Sequence, residues 1–527
     1  VKECILTIDL GTSGPKVALV TIDSEVIGWD MSETPLIVLA DGGVEQDANN
    51  WWTKISGTTQ RLLNRKDLPE YKIIAVAATS QWSCVVPVNE NGHALCNAIS
   101  WLDTRGADVT KRLFDGLIKV DGYEVYKLLR WLHLSNGMPG SAGKDTIGHI
   151  LYIKEAMPEL YQKTYKFLEA KDYINARLTG RLVTAQDAVT LYWLTDNRNS
   201  QKVSYHPYFL KATGIDKEKL PDILLSTDVI GELLPEAARE LGVNPGLPVV
   251  AGTPDVHSAL LGSGGIDDYD GHLYLGTSSW LTCHTSKQKV SPTTNMATIP
   301  SPLPGKYFIG NSQESAGYCL THFARNILFP ESEVDSPKEP QDLYPWLSKL
   351  AATAPAGSER VIYTPWIMGE RTPVENKTIR GGFHNISGSV RRAHLARSVY
   401  EGVAYNSRWL MEAVESLTGR SFPYLRILGG GAISDLWCQI HADVLNREIR
   451  RVAEPRLANL RGVALLAAHS LGRLSIDQMS QKIAIEKVFK PENKNRSIYD
   501  DNYTAFRSLY KVERKIFGRL NFKAFQS

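Results

Sequence analysis

Apolar positions along this chain fall into short runs of two kinds, and their order predicts an alternating fold. Cys4-Ile5-Leu6-Thr7-Ile8, Lys16 to Thr21 and Val26 to Trp29 combine alternation with β-branched residues, which predicts strands over Ile5 to Asp9, Lys16 to Thr21 and Val26 to Trp29, with Gly11 and Gly14 supplying the first turn. Asn49-Asn50-Trp51-Trp52 opens a helix running to about Leu63. Ile73 to Ala78 is a continuous apolar run of the buried-strand type. Val85 to Val88 reads as a strand closed by the turn Asn89-Glu90-Asn91-Gly92. After Asp145 the pattern turns helical, through Thr146 to Ala156 and again through Lys171 to Leu178, where Thr179-Gly180 stops it.

The second half repeats the plan. Val249-Val250-Ala251-Gly252 is a strand ending in a turn, and Ser258 to Leu261 continues as helix. Strands are predicted around Leu273 and Trp280, a long amphipathic helix over Arg392 to Val414, and a strand over Leu425 to Leu428 that runs into Gly429-Gly430-Gly431. The Pro-, Ser- and Glu-rich segment Pro330 to Gln341 reads as a surface loop. Tyr503 to Leu520 reads as a basic, solvated closing helix. Strands alternating with helices place the chain in the α/β class.

Composition narrows the function. A chain of 527 residues accommodates two or more domains with sizeable cores. Its 22% charged and 43% apolar residues are ordinary for a soluble globular protein, and a formal net charge of +2 points to neither a nucleic acid nor a membrane as partner. The clusters Arg391-Arg392 and Arg447 to Arg451 read as solvated helix faces. The six cysteines are scattered without a Cys-x-x-Cys pair and read as reduced core thiols of a cytoplasmic protein. No signal-peptide core and no apolar span of about 18 residues is seen. His-Glu-x-x-His, Gly-x-Ser-x-Gly and Walker A patterns are missing too, so no protein-bound transition metal is expected.

Two glycine-hydroxyl turns carry the chemistry. Asp9-Leu10-Gly11-Thr12-Ser13-Gly14 follows the first strand, and Leu275-Gly276-Thr277-Ser278-Ser279 follows His272-Leu273-Tyr274. Such turns aim backbone N–H groups and small hydroxyls into one concavity, which suits phosphate oxygens. One turn in each half predicts duplicated lobes that grip one polyphosphate between them.

These motifs, in this order, resemble the FGGY carbohydrate kinases, which share the actin-like, hexokinase-like ATPase fold of two lobes around a central cleft. The likeness runs from Asp9 to about Ala468 and is strongest toward the xylulokinase branch. It rests further on Gly43-Val44-Glu45-Gln46-Asp47 before Trp51-Trp52, on Ala98-Ile99-Ser100-Trp101-Leu102-Asp103-Thr104-Arg105, on Lys166-Phe167-Leu168-Glu169-Ala170-Lys171-Asp172-Tyr173 with Arg177-Leu178-Thr179-Gly180, and on Arg380-Gly381-Gly382-Phe383 leading to His394 through Gly402. Two departures stand out. Asn385 replaces a signature glycine, and Asn tolerates the left-handed backbone that the turn needs. Ser80-Gln81-Trp82-Ser83-Cys84 stands where xylulokinases carry Gln-Met-His-Gly in the sugar pocket.

The resemblance implies an N-terminal lobe over 1–262, a C-terminal nucleotide lobe over 263–490 and a closing helix over 491–527. It implies ATP and Mg²⁺ as cofactors, with Asp9 holding the metal through water. Gly11, Thr12, Ser13 and Lys16 then face the triphosphate from one lobe, and Gly276, Thr277 and Ser278 from the other. Ala251-Gly252-Thr253-Pro254-Asp255 matches the family's catalytic turn, so Asp255 is expected to accept the proton of the attacking sugar hydroxyl, a task for which an ordinary carboxylate pKa suffices. N-capping of the following helix by Asp255 is compatible with that role. Sugar binding is expected from Gln81, Trp82, Asp103, Asp255 and Arg105, with Trp101 in the pocket or in the core. Gly430, Gly431, Ala432 and Asp435 match the nucleoside loop, and Gly317 and Thr321 another nucleotide-side position. The partners implied are a small sugar and ATP, and a homodimer is compatible. The expected reaction is phosphorylation of D-xylulose or a related ketopentose at its terminal hydroxyl. Another ketose or polyol is the second enzymatic reading, and a non-catalytic sugar or nucleotide sensor or a chaperone-like ATPase are rivals from other classes. Intact Asp9, Asp255 and both turns speak against the sensor.

Overall fold

The computed structural model describes residues 1–120, 122–330 and 337–521. Lys2–Gly11 (β1), Gly14–Thr21 (β2) and Val26–Met31 (β3) form an antiparallel meander. Its first turn closes on the pair Gly11 and Gly14. Gly14 has φ +136°, and a Cβ there would lie 2.1 Å from the Ser32 carbonyl oxygen, so the tight turn requires glycine. Ala48–Leu63 (α1) is capped by Asp47, which accepts from the Asn49 and Asn50 N–H groups, and it buries Trp51, Ile55 and Leu62. Tyr71–Ser80 (β4) then pairs parallel with β1. After Thr146–Ala156 (α2) and Ala170–Thr179 (α3), Val229–Glu232 (β5) and Pro248–Val250 (β6) complete a six-stranded sheet of order β5-β6-β4-β1-β2-β3. Asp255–Gly262 (α4) leaves this sheet toward the second half.

That half builds a second sheet on the same plan. His272–Leu275 (β7) and Ser279–Thr282 (β8) form a hairpin, followed by helices Gly317–Phe323 (α5) and Arg392–Thr418 (α6). Tyr424–Leu428 (β9) pairs parallel with β7, as β4 does with β1. Asp435–Leu445 (α7), Glu448–Val452 (β10), Ala458–Ser470 (α8), Ile485–Phe489 (β11) and Arg496–Asn521 (α9) follow, giving the order β8-β7-β9-β10-β11.

The two halves exchange helices. Leu460, Val463, Ala464 and Ala467 of α8 pack on Ile5, Ala18, Val20, Ala75 and Ala77 of the first sheet. Ala259 and Leu261 of α4 pack with Leu428 and Val452 of the second. Where α4 and α8 cross, their backbones touch. A Cβ on Gly262 would lie 1.8 Å from the Ala458 carbonyl oxygen, and one on Gly462 1.8 Å from that of Ser258.

Some sequence expectations need correction. The closing helix is not solvated all round: Tyr499, Tyr503, Phe506 and Tyr510 recur on one face and are buried in the second-lobe core. It also begins at Arg496, upstream of the predicted start. Arg450 and Arg451 lie on strand β10, not on a helix face, and pair with Glu448, Asp435 and Glu486. Asn385 takes φ +63°, the left-handed conformation its turn was expected to need. Of the segment 330–341, residues 331–336 lie outside the described residues, and 337–340 are neither helix nor strand. All six cysteines are free. Among the described residues no helix is long and apolar enough to cross a membrane.

Candidate active site

Hairpin register builds the first half of the site. Asp9 on β1 stands directly opposite Lys16 on β2, so both side chains leave the same face of the sheet. Lys16 Nζ donates to Asp9 Oδ2 at 3.2 Å, and the Asp9 charge holds the ammonium above its ordinary pKa. The other oxygen, Asp9 Oδ1, is buried with no hydrogen-bond partner. A buried, unsatisfied carboxylate oxygen is costly unless a ligand completes it. Behind the turn, Gln46 Nε2 donates to the Thr12 carbonyl at 2.9 Å and Trp101 Nε1 to Thr12 Oγ1 at 2.9 Å. Trp101 is half-buried against the first-lobe core, so it buttresses the turn. Ser13 is exposed, and Gly11 is partly so.

The second hairpin is held from outside. Gly276 N–H donates to the Ser278 carbonyl at 3.0 Å, which tightens the turn. From the start of α5, Gly317 N–H donates to the Gly276 carbonyl at 2.7 Å, and the Ala316 and Tyr318 N–H groups reach the Thr277 carbonyl at 2.9 and 3.1 Å. A Cβ on Gly317 would lie 2.6 Å from the Gly276 oxygen, so glycine is required by close approach. Thr321 Oγ1 bonds Tyr344 Oη at 2.8 Å, one turn along the helix.

Beside this hairpin runs the loop 429–434. Gly429 has φ +93°, and a Cβ on it would lie 2.6 Å from the Leu275 carbonyl, whereas one on Gly430 would meet nothing within 4 Å. Gly431 packs against Leu275 and Trp437, and Ala432 is buried. Asp435 is engaged on both sides, by Lys487 at 2.6 Å and Arg451 at 2.7 Å, and these bonds hold its carboxyl below the ordinary range. Between the lobes lies a cavity of about 210 Å³ lined by Lys16, Tyr274, Gly429, Gly430, Pro455, Arg456 and Asn459. A larger cavity, about 550 Å³ and lined by Asn89, Tyr165 and Lys219 among others, shares no residue with this site.

Asp255 opens α4, behind a turn held at Ala251, Gly252 and Thr253. The Ala251 carbonyl accepts from Lys171 Nζ at 3.0 Å and Asn175 Nδ2 at 2.8 Å, and Thr253 Oγ1 is bonded to the Asp187 carboxylate. Gly252 has φ +71° with the Ala78 carbonyl against it, so this turn also demands glycine. The cap position itself belongs to Pro254, and Asp255 Oδ1 accepts from the Val256 N–H at 2.8 Å. Burial first, and then the neighbouring charge of Asp9, pushes the Asp255 carboxyl up to about 7. An ordinary carboxylate pKa would suffice for a base, and this environment raises the group above it. The effect of the Asp9 charge places the two carboxyls near one another.

Among the residues expected to bind sugar, Gln81 is nearly fully buried. Its N–H donates to the Leu10 carbonyl and its Nε2 to Gln46 Oε1, both at 2.8 Å, while its Oε1 has no partner. Trp82 Nε1 donates to the Ala188 carbonyl at 2.8 Å, and its ring stands edge-on to His257 with centroids 4.9 Å apart. Leu260, Ile299 and Phe308 complete that apolar patch. Asp103 turns inward: it accepts from the Val44 N–H at 2.9 Å and from the Arg105 guanidinium at 2.7 Å. Arg105 also pairs with Glu45 at 2.7 Å and lies over the Tyr152 ring. Sequence reasoning did not single out Lys171, Asn175, Asp187, Tyr274, Arg456 or Asn459 as site residues. Lys171 carried a signal, since it lies in a motif already used, but nothing in the chain marks Arg456.

Paired sheets of one plan, each opening on a glycine-hydroxyl hairpin, define a two-lobed protein with the actin-like ATPase fold. The chain belongs to the FGGY family of carbohydrate kinases: residues 4–262 match the family's N-terminal domain and residues 271–471 its C-terminal domain. It is a sugar kinase, of a family that uses ATP as phosphoryl donor. It is 27% identical over 523 residues to the xylulose kinase of Staphylococcus epidermidis, covering 98% of each chain. Its fold matches the gluconate kinase of Lactobacillus acidophilus (TM-score 0.83, 24% identity, 99% of this chain and 100% of that one). It also matches the ligand-bound xylulose kinase of Lactobacillus acidophilus (TM-score 0.84, 23% identity, 98% and 100%).

Proposed function

We propose that this kinase phosphorylates D-xylulose at its terminal primary hydroxyl to give D-xylulose 5-phosphate. The supporting observation is the convergence of Asp9, with its unpartnered Oδ1, and the raised carboxyl of Asp255 on one cleft, together with the near-full-length likeness to a xylulose kinase. Gln81 Oε1 is free to accept from a sugar hydroxyl, and Trp82 supplies an apolar wall. Asp103 and Arg105 act from behind, fixing the segment that carries Glu45 and Gln46.

In this reading Asp255 removes the proton of the attacking hydroxyl as its oxygen approaches the γ-phosphorus. The two hairpins and Lys16 hold the phosphates, and lobe closure excludes water, which would otherwise be phosphorylated. The loop 429–434 takes the nucleoside, with Gly430 leaving open backbone beneath a base. The buried orphan oxygen of Asp9 fits a Mg²⁺ ion held through water, and a bound Mg²⁺ neutralises phosphate charge. The lobes divide at 1–262 and 263–490, with the helix Arg496–Asn521 closing the second. Free cysteines suit a reducing compartment, so we place the enzyme in the cytoplasm.

Trp82-Ser83 in place of a Met-His pair favours a second reading, in which another ketose, polyol or sugar acid is the acceptor. The test is ADP release from ATP, with and without Mg²⁺, across D-xylulose, ribulose isomers, pentitols, glycerol, gluconate and hexoses. A single strong, Mg²⁺-dependent response to D-xylulose supports the proposal. A response to a different acceptor moves the substrate and keeps the mechanism. Silence with nucleotide still bound overturns the enzymatic reading in favour of a sensor.

A further inference from the structure

The cavity between the lobes brings two cations face to face. Lys16 comes from the first lobe, and Arg456 from the turn that precedes α8 in the second. Lys16 has Asp9 as partner, whereas Arg456 makes no hydrogen bond or ion pair among the described residues and is exposed at the rim. Two cations that line one cavity repel each other, and an anion bound between them relieves the repulsion.

Arg456 is also fixed in place. The Gly429 N–H donates to the Pro455 carbonyl at 3.0 Å, which ties the turn to the glycine loop, and Leu457 anchors the other side in the core. Asn459 lines the same cavity one step further along. Tyr274 forms its floor: the ring stacks flat on Trp280 with centroids 3.8 Å apart and fills the room beside Gly276, with Oη 3.0 Å from where a Cβ would stand.

We infer that Arg456, with Asn459 and the Tyr274 hydroxyl, forms the second-lobe half of a polyphosphate clamp whose first-lobe half is Lys16. The ligand class is a nucleoside polyphosphate. A multiply charged anion bridging Lys16 and Arg456 draws the lobes together, so the clamp couples nucleotide binding to closure. The inference rests on the reading of this cleft as the nucleotide site.

Arg456→Gln suits the test because the side chain has no protein partner to lose. Calorimetric titration with ATP, ADP, AMP and inorganic tripolyphosphate, at two salt concentrations, separates the possibilities. The variant is expected to bind ATP, ADP and tripolyphosphate about tenfold more weakly, equivalent to about 1.4 kcal/mol, with AMP within about twofold of wild type. The salt dependence of ATP binding should also fall, and Arg456→Lys should lie between the two, keeping the charge without the forked donors. Unchanged ATP and tripolyphosphate affinity in Arg456→Gln overturns the clamp, as does an equal loss for ATP and AMP, which assigns Arg456 to the nucleoside. Wild-type protein that binds no nucleotide overturns the cleft reading itself, a result distinct from an unaffected variant.

Discussion

Gly462→Ala tests how the lobes communicate. Gly462 sits at the crossing of α8 and α4, where an added Cβ would lie 1.8 Å from the Ser258 carbonyl oxygen and 2.8 Å from the Gly262 nitrogen. Ordinary contact begins near 3.4 Å, so the helices must separate by about 1.6 Å at this point. Both obstructing atoms are backbone, and no side chain can turn away to make room. Overpacking of this kind costs about 1–3 kcal/mol. Its larger effect is on chemistry, because α4 begins with Asp255 and moves with it. A displacement of about 1 Å in a catalytic group is worth about 10²-fold in rate. Steady-state kinetics should therefore show kcat reduced about 10²-fold, with the KM for sugar changed far less, and calorimetry should show Tm lower by a few degrees. Full kcat in a folded Gly462→Ala enzyme would refute the idea that this crossing positions the base.

Other perturbations probe the base and its support. With its carboxyl pushed up to about 7 and the proposed role as base requiring the carboxylate, kcat/KM for the sugar should rise about tenfold per pH unit below about 7 and level off above it. A profile that is flat between about 5.5 and 8 would contradict this assignment. Lys171→Met strips the cation from buried Asp172 and one donor from the Ala251 carbonyl, so chemical denaturation should show a loss of about 3–5 kcal/mol. A stability within about 1 kcal/mol of wild type would show that Asn175 alone holds the turn.

Much of the local structure was legible in the chain. Helix α2 matches its predicted span, and both hairpins lie where glycine follows an apolar run. These elements are dictated by neighbouring residues, through periodicity and turn chemistry. What depended on distant partners was not legible. The packing of α8 on the first sheet joins Leu460 and Val463 to Ile5 and Ala75, far apart in the chain and alike in composition to any other core pair. Asp103 is expected to bind sugar because its motif resembles the family's and a carboxylate accepts from neighbouring hydroxyls; its bonds to Val44 and Arg105 depend on partners that its own segment does not reveal. The raised Asp255 carboxyl was not legible either, because burial and the Asp9 charge come from residues far apart in the chain. Arg456 gave no signal at all, since an isolated arginine beside a proline reads as surface until the cavity is seen.

The most direct test of the account is Asp255→Asn, assayed by single-turnover phosphoryl transfer from ATP to D-xylulose alongside calorimetric binding of each. The side chain keeps its size and its bond to the Val256 N–H but cannot take a proton. The account predicts transfer slowed about 10³-fold with sugar and nucleotide affinities within a few-fold of wild type. Unimpaired turnover in Asp255→Asn would mean that the proton leaves by another route and that the cleft works differently from the mechanism given above.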